Sequence, residues 1–402
     1  MQSFKMLYLY EMKKILMRKI VWIATGIMLA ATVYMVLSRM AGDYYVDGEV
    51  IGSNYEMFLT DREYARALNG RLIDEGLLKN MQEAYAKVPD VKQKHYSMTE
   101  EYQQYARPYS EIHNFVLDIL KSTGSGDELL TIDAEGLYQK RQELLREIRQ
   151  EFRLTQGETA YWQEQENKLE KPFVYSYHDG YERSVVYLYS LNMLLLLLIT
   201  VCLSPVFTDE HSRRTDQLIL SSRYGRKLLY RAKMAAGISF AEAEVLLFSA
   251  AFTLLTFFMY GTDGFDAPVQ LKYLTSQQMT MGELVILMYG LLLIVGILYS
   301  VMVMVISELC RSNVATIGIM IVFLILSVFM NIPEQYRIAG QLVDMLPMQL
   351  VTWWGVFDMR LVPIPGGYMT TWQVAVLLYA VAAVCLIMLG KRCYSRYEIS
   401  DR

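Results

Sequence analysis

The sequence predicts an all-α membrane protein: six transmembrane helices, with a mainly helical extracellular domain inserted between the first and second. Three observations carry this. The chain has 402 residues, is 53% hydrophobic and has a mean hydropathy of +0.20, which is too apolar for most soluble chains. Six apolar runs (20–38, 185–206, 235–259, 284–307, 314–331 and 372–390) are each 18 to 25 residues long. A helix of 19 residues covers about 28 Å, close to the hydrocarbon thickness of a bilayer. Lastly, segments 1–19, 207–234, 308–313 and 391–402 together carry +10, whereas 39–184 carries −9. Basic residues stay on the cytoplasmic side, so both termini are expected inside and the long loop outside.

Residues 3–19 place Phe4, Leu7, Tyr8, Met12, Ile15 and Leu16 along one helical stripe, with Lys5, Lys13, Lys14, Arg18 and Lys19 near the membrane. This reads as an interfacial amphipathic helix. The first apolar run is longer than the core of a signal peptide, and Arg39 and Met40 follow it in place of a small-residue cleavage site. Together 1–38 form the entry to the membrane.

Residues 39–184 are too long for a structureless loop. Within them, 57–87 show a loose helical pattern interrupted by Gly70 and Gly76. Over 99–121, Tyr102, Tyr105, Tyr109, Ile112, Val116 and Ile119 recur at spacings of three and four, with Pro108 as a kink or a second start. Residues 134–170 carry Leu137, Leu144, Ile148 and Phe152 among many charges, with a break expected at Gly157. A helical domain follows, either a platform for a substrate or partner or a solvated cap. The four cysteines (Cys202, Cys310, Cys385 and Cys393) all lie outside this loop, so no internal disulfide staples it.

Residues 185–402 form the remaining five spans. The loop 332–371 is expected outside, with Trp353, Trp354 and Trp372 as interfacial anchors and a short surface or re-entrant helix within 338–359. Glu242 and Glu244 lie inside the third span, where ionisable groups are costly. They line a transport path or pair with a basic group near the interface. Their spacing turns them about 200° apart, so they cannot share one cavity.

The charged stretch 207–234 draws the most attention. Thr208 is placed to cap a helix over 208–221, with Asp209 and Glu210 at its positive end and Leu218 on its apolar side. Arg213, Arg214, Thr215, Arg226 and Lys233 add polar and basic character, so the stretch is either a capped helix that receives a push from a soluble motor or an ordinary positive-inside loop. The chain has no phosphate-binding G-x-x-x-x-G-K-[ST], no H-E-x-x-H, no paired C-x-x-C and no G-x-S-x-G, and its four histidines have no ligand spacing. Nothing in the motifs argues for an enzyme.

The order Phe207, Glu210, Thr215, Leu218, Leu220, Ser221, Ser222, Arg226, Lys233 resembles the cytoplasmic loop of ABC type 2 exporter permeases. Glu11-Met12-Lys13-Lys14 is similar to the amino-terminal Glu-x-Lys-Lys of that family, and Glu308-Leu-Cys-Arg-Ser312 to its turn between the fourth and fifth spans. Arg214 stands where the family usually has Gly, and Tyr224 where Pro is common; the outer domain is not covered. The resemblance implies a bacterial plasma-membrane permease subunit without catalytic residues or cofactor of its own. It would pair with a second permease and with separate ATPase chains that bind ATP and Mg. The coupling helix would be 208–221, with Asp209, Glu210, Arg213, Arg214, Thr215, Leu218 and Arg226 facing the ATPase. Exported cargo would be a peptide, a lipid-linked molecule or a hydrophobic toxin. The alternative is a membrane sensor or assembly factor that binds a partner through the outer domain.

Overall fold

The computed structural model describes residues 2–88, 96–122, 129–212, 215, 227–330, 332–333 and 336–396. Most of these are helical. Five helices are long and apolar enough to cross a membrane: α2 (Lys19–Leu37), α8 (Asp179–Leu203) extended by α9 (Pro205–Ser212), α10 (Lys227–Tyr260), α11 (Met281–Cys310) and α16 (Thr371–Arg396). The sixth apolar run forms α12 (Asn313–Phe329), a shorter apolar helix of 17 residues. α8 with α9, α10, α11 and α16 overrun the apolar windows read from sequence, whereas α2 matches its window in length and α12 stops two residues short. At 34 residues α10 is about 51 Å long, well beyond the hydrocarbon layer, because its first turns carry Lys227, Arg231 and Lys233.

The chain divides into two compact units. The first comprises 1–34, 185–254 and 287–402. Its most buried long helices are α8 and α11, whereas α2 and α16 leave most of their apolar surface uncovered. Such apolar exteriors suit a lipid solvent. Small and polar residues let the helices approach, as membrane packing favours. Gly237 on α10 lies against Met304 on α11 so closely that an added Cβ would fall 2.2 Å from its Sδ. Thr200 and Tyr299 share a hydroxyl hydrogen bond of 2.8 Å, and Ser307 Oγ donates to the Ser204 carbonyl at 2.6 Å. Between α12 and α16 the chain makes α13 (Arg337–Asp344), α14 (Pro347–Leu350), α15 (Trp353–Val356) and the hairpin β3 (Leu361–Ile364)–β4 (Gly367–Thr370). The single helix expected within 338–359 is therefore three short ones. Trp353 and Trp354 are partly exposed there, with rings edge to face at 5.5 Å.

The second unit takes in 35–184 and also 255–286, the connection between α10 and α11. The end of α2, the start of α8, the end of α10 and the start of α11 thus all belong to it. It opens with a hairpin, β1 (Asp43–Val46) and β2 (Glu49–Ser53), which the all-helical reading did not include. Asp47 and Gly48 at its tip have φ of 49° and 85°, the left-handed pair that two-residue hairpin loops favour. The loose pattern over 57–87 resolves into α3 (Asn54–Ala67) and α4 (Glu75–Tyr85). A Ser53–Glu56 capping box starts α3 and Asp74 caps α4.

Around Pro108 the backbone forms a π turn (Tyr102–Ala106) and a 3-10 turn before α5 (Ser110–Ser122). The change of pitch turns Tyr105 outward and buries Ala106 in its stead. The long helix read over 134–170 is α6 (Ala134–Glu151) and α7 (Gln156–Asn167). They are separated at Arg153, with φ of 49°, and not at Gly157; a Thr155–Glu158 capping box begins α7 ahead of that glycine. The core gathers Leu77, Met81, Tyr85, Ile112, Val116, Leu137, Leu145 and Trp162. Inside it the Arg141–Glu166 pair is almost wholly buried at 2.5 Å, and Arg141 also donates to the Thr275 carbonyl at 2.8 Å.

Candidate functional site

The first unit contains a buried ion cluster assembled from α1 (Gln2–Leu16), α9, the start of α10 and the end of α11. At its centre is Lys233, 1% exposed. Its Nζ meets Glu11 Oε2 at 3.0 Å and Glu210 Oε1 at 2.8 Å, and donates to the Val206 carbonyl at 3.0 Å. Lys14 Nζ bridges the same carboxylates, 2.8 Å from Glu11 Oε1 and 3.1 Å from Glu210 Oε1. Two cations thus share two carboxylates, and burial of each charge is offset by its neighbours. Arg18 closes one flank: it reaches Asp209 Oδ2 at 2.8 Å and the Pro205 carbonyl at 3.2 Å. On the other flank His211 Nε2 lies 3.6 Å from Glu308 Oε2, an ion-pair separation longer than a hydrogen bond.

Local sequence explains how these groups meet. On α1 the inward face runs through Leu7, Tyr8, Glu11 and Ile15, so the amphipathic stripe carries a carboxylate at its middle, and Arg18 follows just past the helix end. Met17 and Arg18 break the helix before α2 begins at Lys19. Pro205 opens α9 directly behind α8, in the first-turn position that suits a residue without an amide hydrogen. Thr208 is consequently inside the helix, its Oγ1 donating back to the Ser204 carbonyl at 3.1 Å; it is not the cap expected from sequence. The helix ends at Ser212, and the amide of Thr215 satisfies the Glu210 carbonyl at 3.1 Å. Asp209 and Glu210 therefore sit in the last turns, where the helix dipole disfavours carboxylates. Lys14, Lys233 and Arg18 supply the compensating charge.

Burial raises the Glu11 carboxyl, but Lys233 and Lys14 outweigh it and hold the group below the usual carboxylate range. Burial likewise lowers Lys14, and Glu11 with Glu210 more than restores it, leaving its ammonium above the usual lysine value. Beside the cluster Phe207, Tyr230 and Tyr394 form an aromatic triangle with centroids 5.6 to 5.7 Å apart, and Tyr230 Oη donates to the Ile387 carbonyl at 2.9 Å. The end of α16 is tied in by these contacts.

Of the residues singled out for coupling, Glu210 is buried in the cluster and turned away from any protein docking outside it. Asp209 is half exposed and Thr215 caps the helix end. Arg213, Arg214, Leu218 and Arg226 lie outside the described residues, as does most of the helix read over 208–221. Glu242 and Glu244 face different neighbours. Glu242 approaches Gly296 of α11, where an added Cβ would fall 2.7 Å from its Oε1. Glu244 Oε1 accepts from Thr25 of α2 at 3.3 Å. His211 belongs to the cluster without any sequence signal pointing to it, and Arg18, read only as one of the basic residues near the membrane, also belongs to it. Among the described residues no group of three or more His, Cys, Asp or Glu is placed to hold a metal.

No protein-family model matches the chain, and no curated protein matches it.

Proposed function

We propose that the chain is the transmembrane permease subunit of an ATP-driven exporter whose ATPase is a separate chain. The cluster end faces the cytoplasm, and α9 with the segment after it receives the push. The observation that supports this is convergence. Glu11 and Lys14, Glu210, Lys233 and Glu308 come from the segments that carry the resemblance to ABC type 2 permeases, and all meet at one end of the bundle. A motor acting on α9 would act at once on α1, α10 and, through His211, on α11. Glu210 is then a positioning residue; the docking contacts belong to Asp209, Thr215 and the residues that follow.

Six spans suit this reading. The ends of α11 and α16 both lie at the cluster, so the chain between them must leave that end and return. Among the described helices there, only α12 is both apolar and more than eight residues long, and its 17 residues cover about 26 Å. Short spans are accommodated at modest cost by local thinning. The second unit is then extracellular. It collects 39–184 and 255–286, the connections that this topology puts on one side.

The test is a photo-crosslinking amino acid at Ser212 in cells, with one at Tyr45 as control. A crosslink from Ser212 to a nucleotide-binding chain, absent from Tyr45, is the expected result. Crosslinking from Tyr45 alone, to an extracytoplasmic or regulatory protein, would instead favour the sensor or assembly role.

A further inference from the structure

We infer that the second unit carries a binding groove for phosphate-bearing anions between α6 and α7, a site that the export reading neither uses nor requires. The groove has a volume of about 680 Å³. Its lining includes Arg146, Arg149 and Arg153, with Thr159 and Gln163 across from them, and no carboxylate. That is unexpected, because 39–184 is acidic, at −9 overall. Arg146 and Arg149, three residues apart, share one face of α6, and Arg153 joins them in the groove from just beyond the helix end. By the helical step of about 100° per residue, Glu143, Glu147 and Glu151 fall on the neighbouring flank, away from the arginine stripe.

Two features of the groove are costly without a ligand. Arg149 is 6% exposed. Its Nη1 donates to Gln163 Oε1 at 3.1 Å and its Nη2 to Ser276 Oγ at 3.3 Å, while its Nε has no partner among the described residues. The guanidinium is thus fixed in orientation, with its buried Nε–H donor unused. Burial pushes its pKa down, countered in part by Glu166. Arg153 occupies a left-handed backbone position (φ 49°) at the end of α6, where the Leu154 amide closes on the Arg149 carbonyl at 3.1 Å. Glycine is the residue that such a helix end favours; arginine there places a third guanidinium in the groove. Guanidinium forks match the geometry of phosphate oxygens, and charge-assisted bonds of this kind are the strong ones.

The phosphate group is the shared chemistry, and it can come from a lipid headgroup or from a soluble ion. The test uses the full chain in nanodiscs of phosphatidylcholine. Arginines are modified with phenylglyoxal and mapped by mass spectrometry, with inorganic phosphate or dihexanoyl phosphatidic acid as competitor and sodium chloride at matched ionic strength as control. Saturable protection of Arg146 and Arg153 by either competitor, but not by chloride, is expected. A preference of tenfold or more for the short lipid identifies a headgroup site, and equal potency a soluble phosphate site. The variant Arg146→Gln/Arg153→Gln, both on the groove surface, should keep the thermal transition and lose at least about tenfold in calorimetric affinity for the same competitor. Absence of protection by both competitors, protection spread evenly over the arginines of the unit, or unchanged affinity in the folded double variant would each overturn the assignment.

Discussion

Removing the Lys233 ammonium, as in Lys233→Met, should unfold the first unit at a much lower temperature. Methionine keeps the length and apolar stem of lysine, so packing changes little. What changes is charge. Glu11 and Glu210, both buried, lose the cation that lies 3.0 and 2.8 Å from them and keep, among the described residues, only Lys14, which is about one-third exposed. The Val206 carbonyl also loses its donor. Breaking a buried pair by deleting one partner costs about 3–5 kcal/mol, because the other charge stays buried. At about 2–4 °C per kcal/mol for a unit of roughly this size, the midpoint should fall by roughly 10 °C. The assay is a thermal scan in mild detergent with a thiol-reactive dye, since Cys202 in α8 is wholly buried and reports opening of the bundle. A triple variant, Lys233→Met with Glu11→Gln and Glu210→Gln, should regain most of the loss, because neutral amides no longer need the cation. A single variant within 2 °C of the parent, or a triple variant no better than the single, would refute the reasoning.

Other outcomes follow from the same contacts. Glu11 has a lowered folded pKa, so its contribution is present above its unfolded value near 4.5 and is lost as pH falls through the folded one. The thermal midpoint should therefore drop on acidification below about pH 4.5, and Glu11→Gln should flatten that drop. In the second unit Arg141→Met should cost about 3 kcal/mol at most, since Lys171 and Ser276 still hold Glu166 at 2.5 and 2.8 Å; limited proteolysis of that unit should detect it. Thr25→Val should reproduce whatever Glu244→Gln does to export and leave the effect of Glu242→Gln unchanged, because only Glu244 is bonded to Thr25. Equal transport losses in Glu242→Gln and Glu244→Gln, both copied by Thr25→Val, would contradict that separation.

The five helices long and apolar enough to cross a membrane were legible because each contains a long, mostly apolar run, and about twenty such residues have few other stable solutions. The amphipathic start was legible for the same periodic reason. The ion cluster was not, because Glu11 and Lys233 are 222 residues apart and no local pattern pairs them. Glu11 did leave a trace, a carboxylate within an apolar stripe, as did Lys233 at the threshold of an apolar run. Thr208 misled because Thr-Asp-Glu is the signature of a helix start; the apolar residues before it continued the helix from Pro205, and continuity prevailed over the capping signal. Both hairpins left signals that went unread. Asp47-Gly48 between short apolar strands is a two-residue loop, and Pro365-Gly366, with Gly366 at φ 93°, is another. The inclusion of 255–286 in the second unit rests on contacts such as Arg141 to the Thr275 carbonyl, which sequence spacing does not encode.

The central claim is that this chain works with a separate ATPase at the cluster end of its helices. The most direct measurement is a mild-detergent pull-down of the tagged chain from its native membrane, with mass spectrometry of what co-purifies. The account predicts a stoichiometric chain carrying a G-x-x-x-x-G-K-[ST] phosphate loop, retained by Glu242→Gln and lost when residues 208–222 are replaced in a protein that still inserts. Recovery of the chain alone, or with a kinase or regulator held equally well after that replacement, would contradict it.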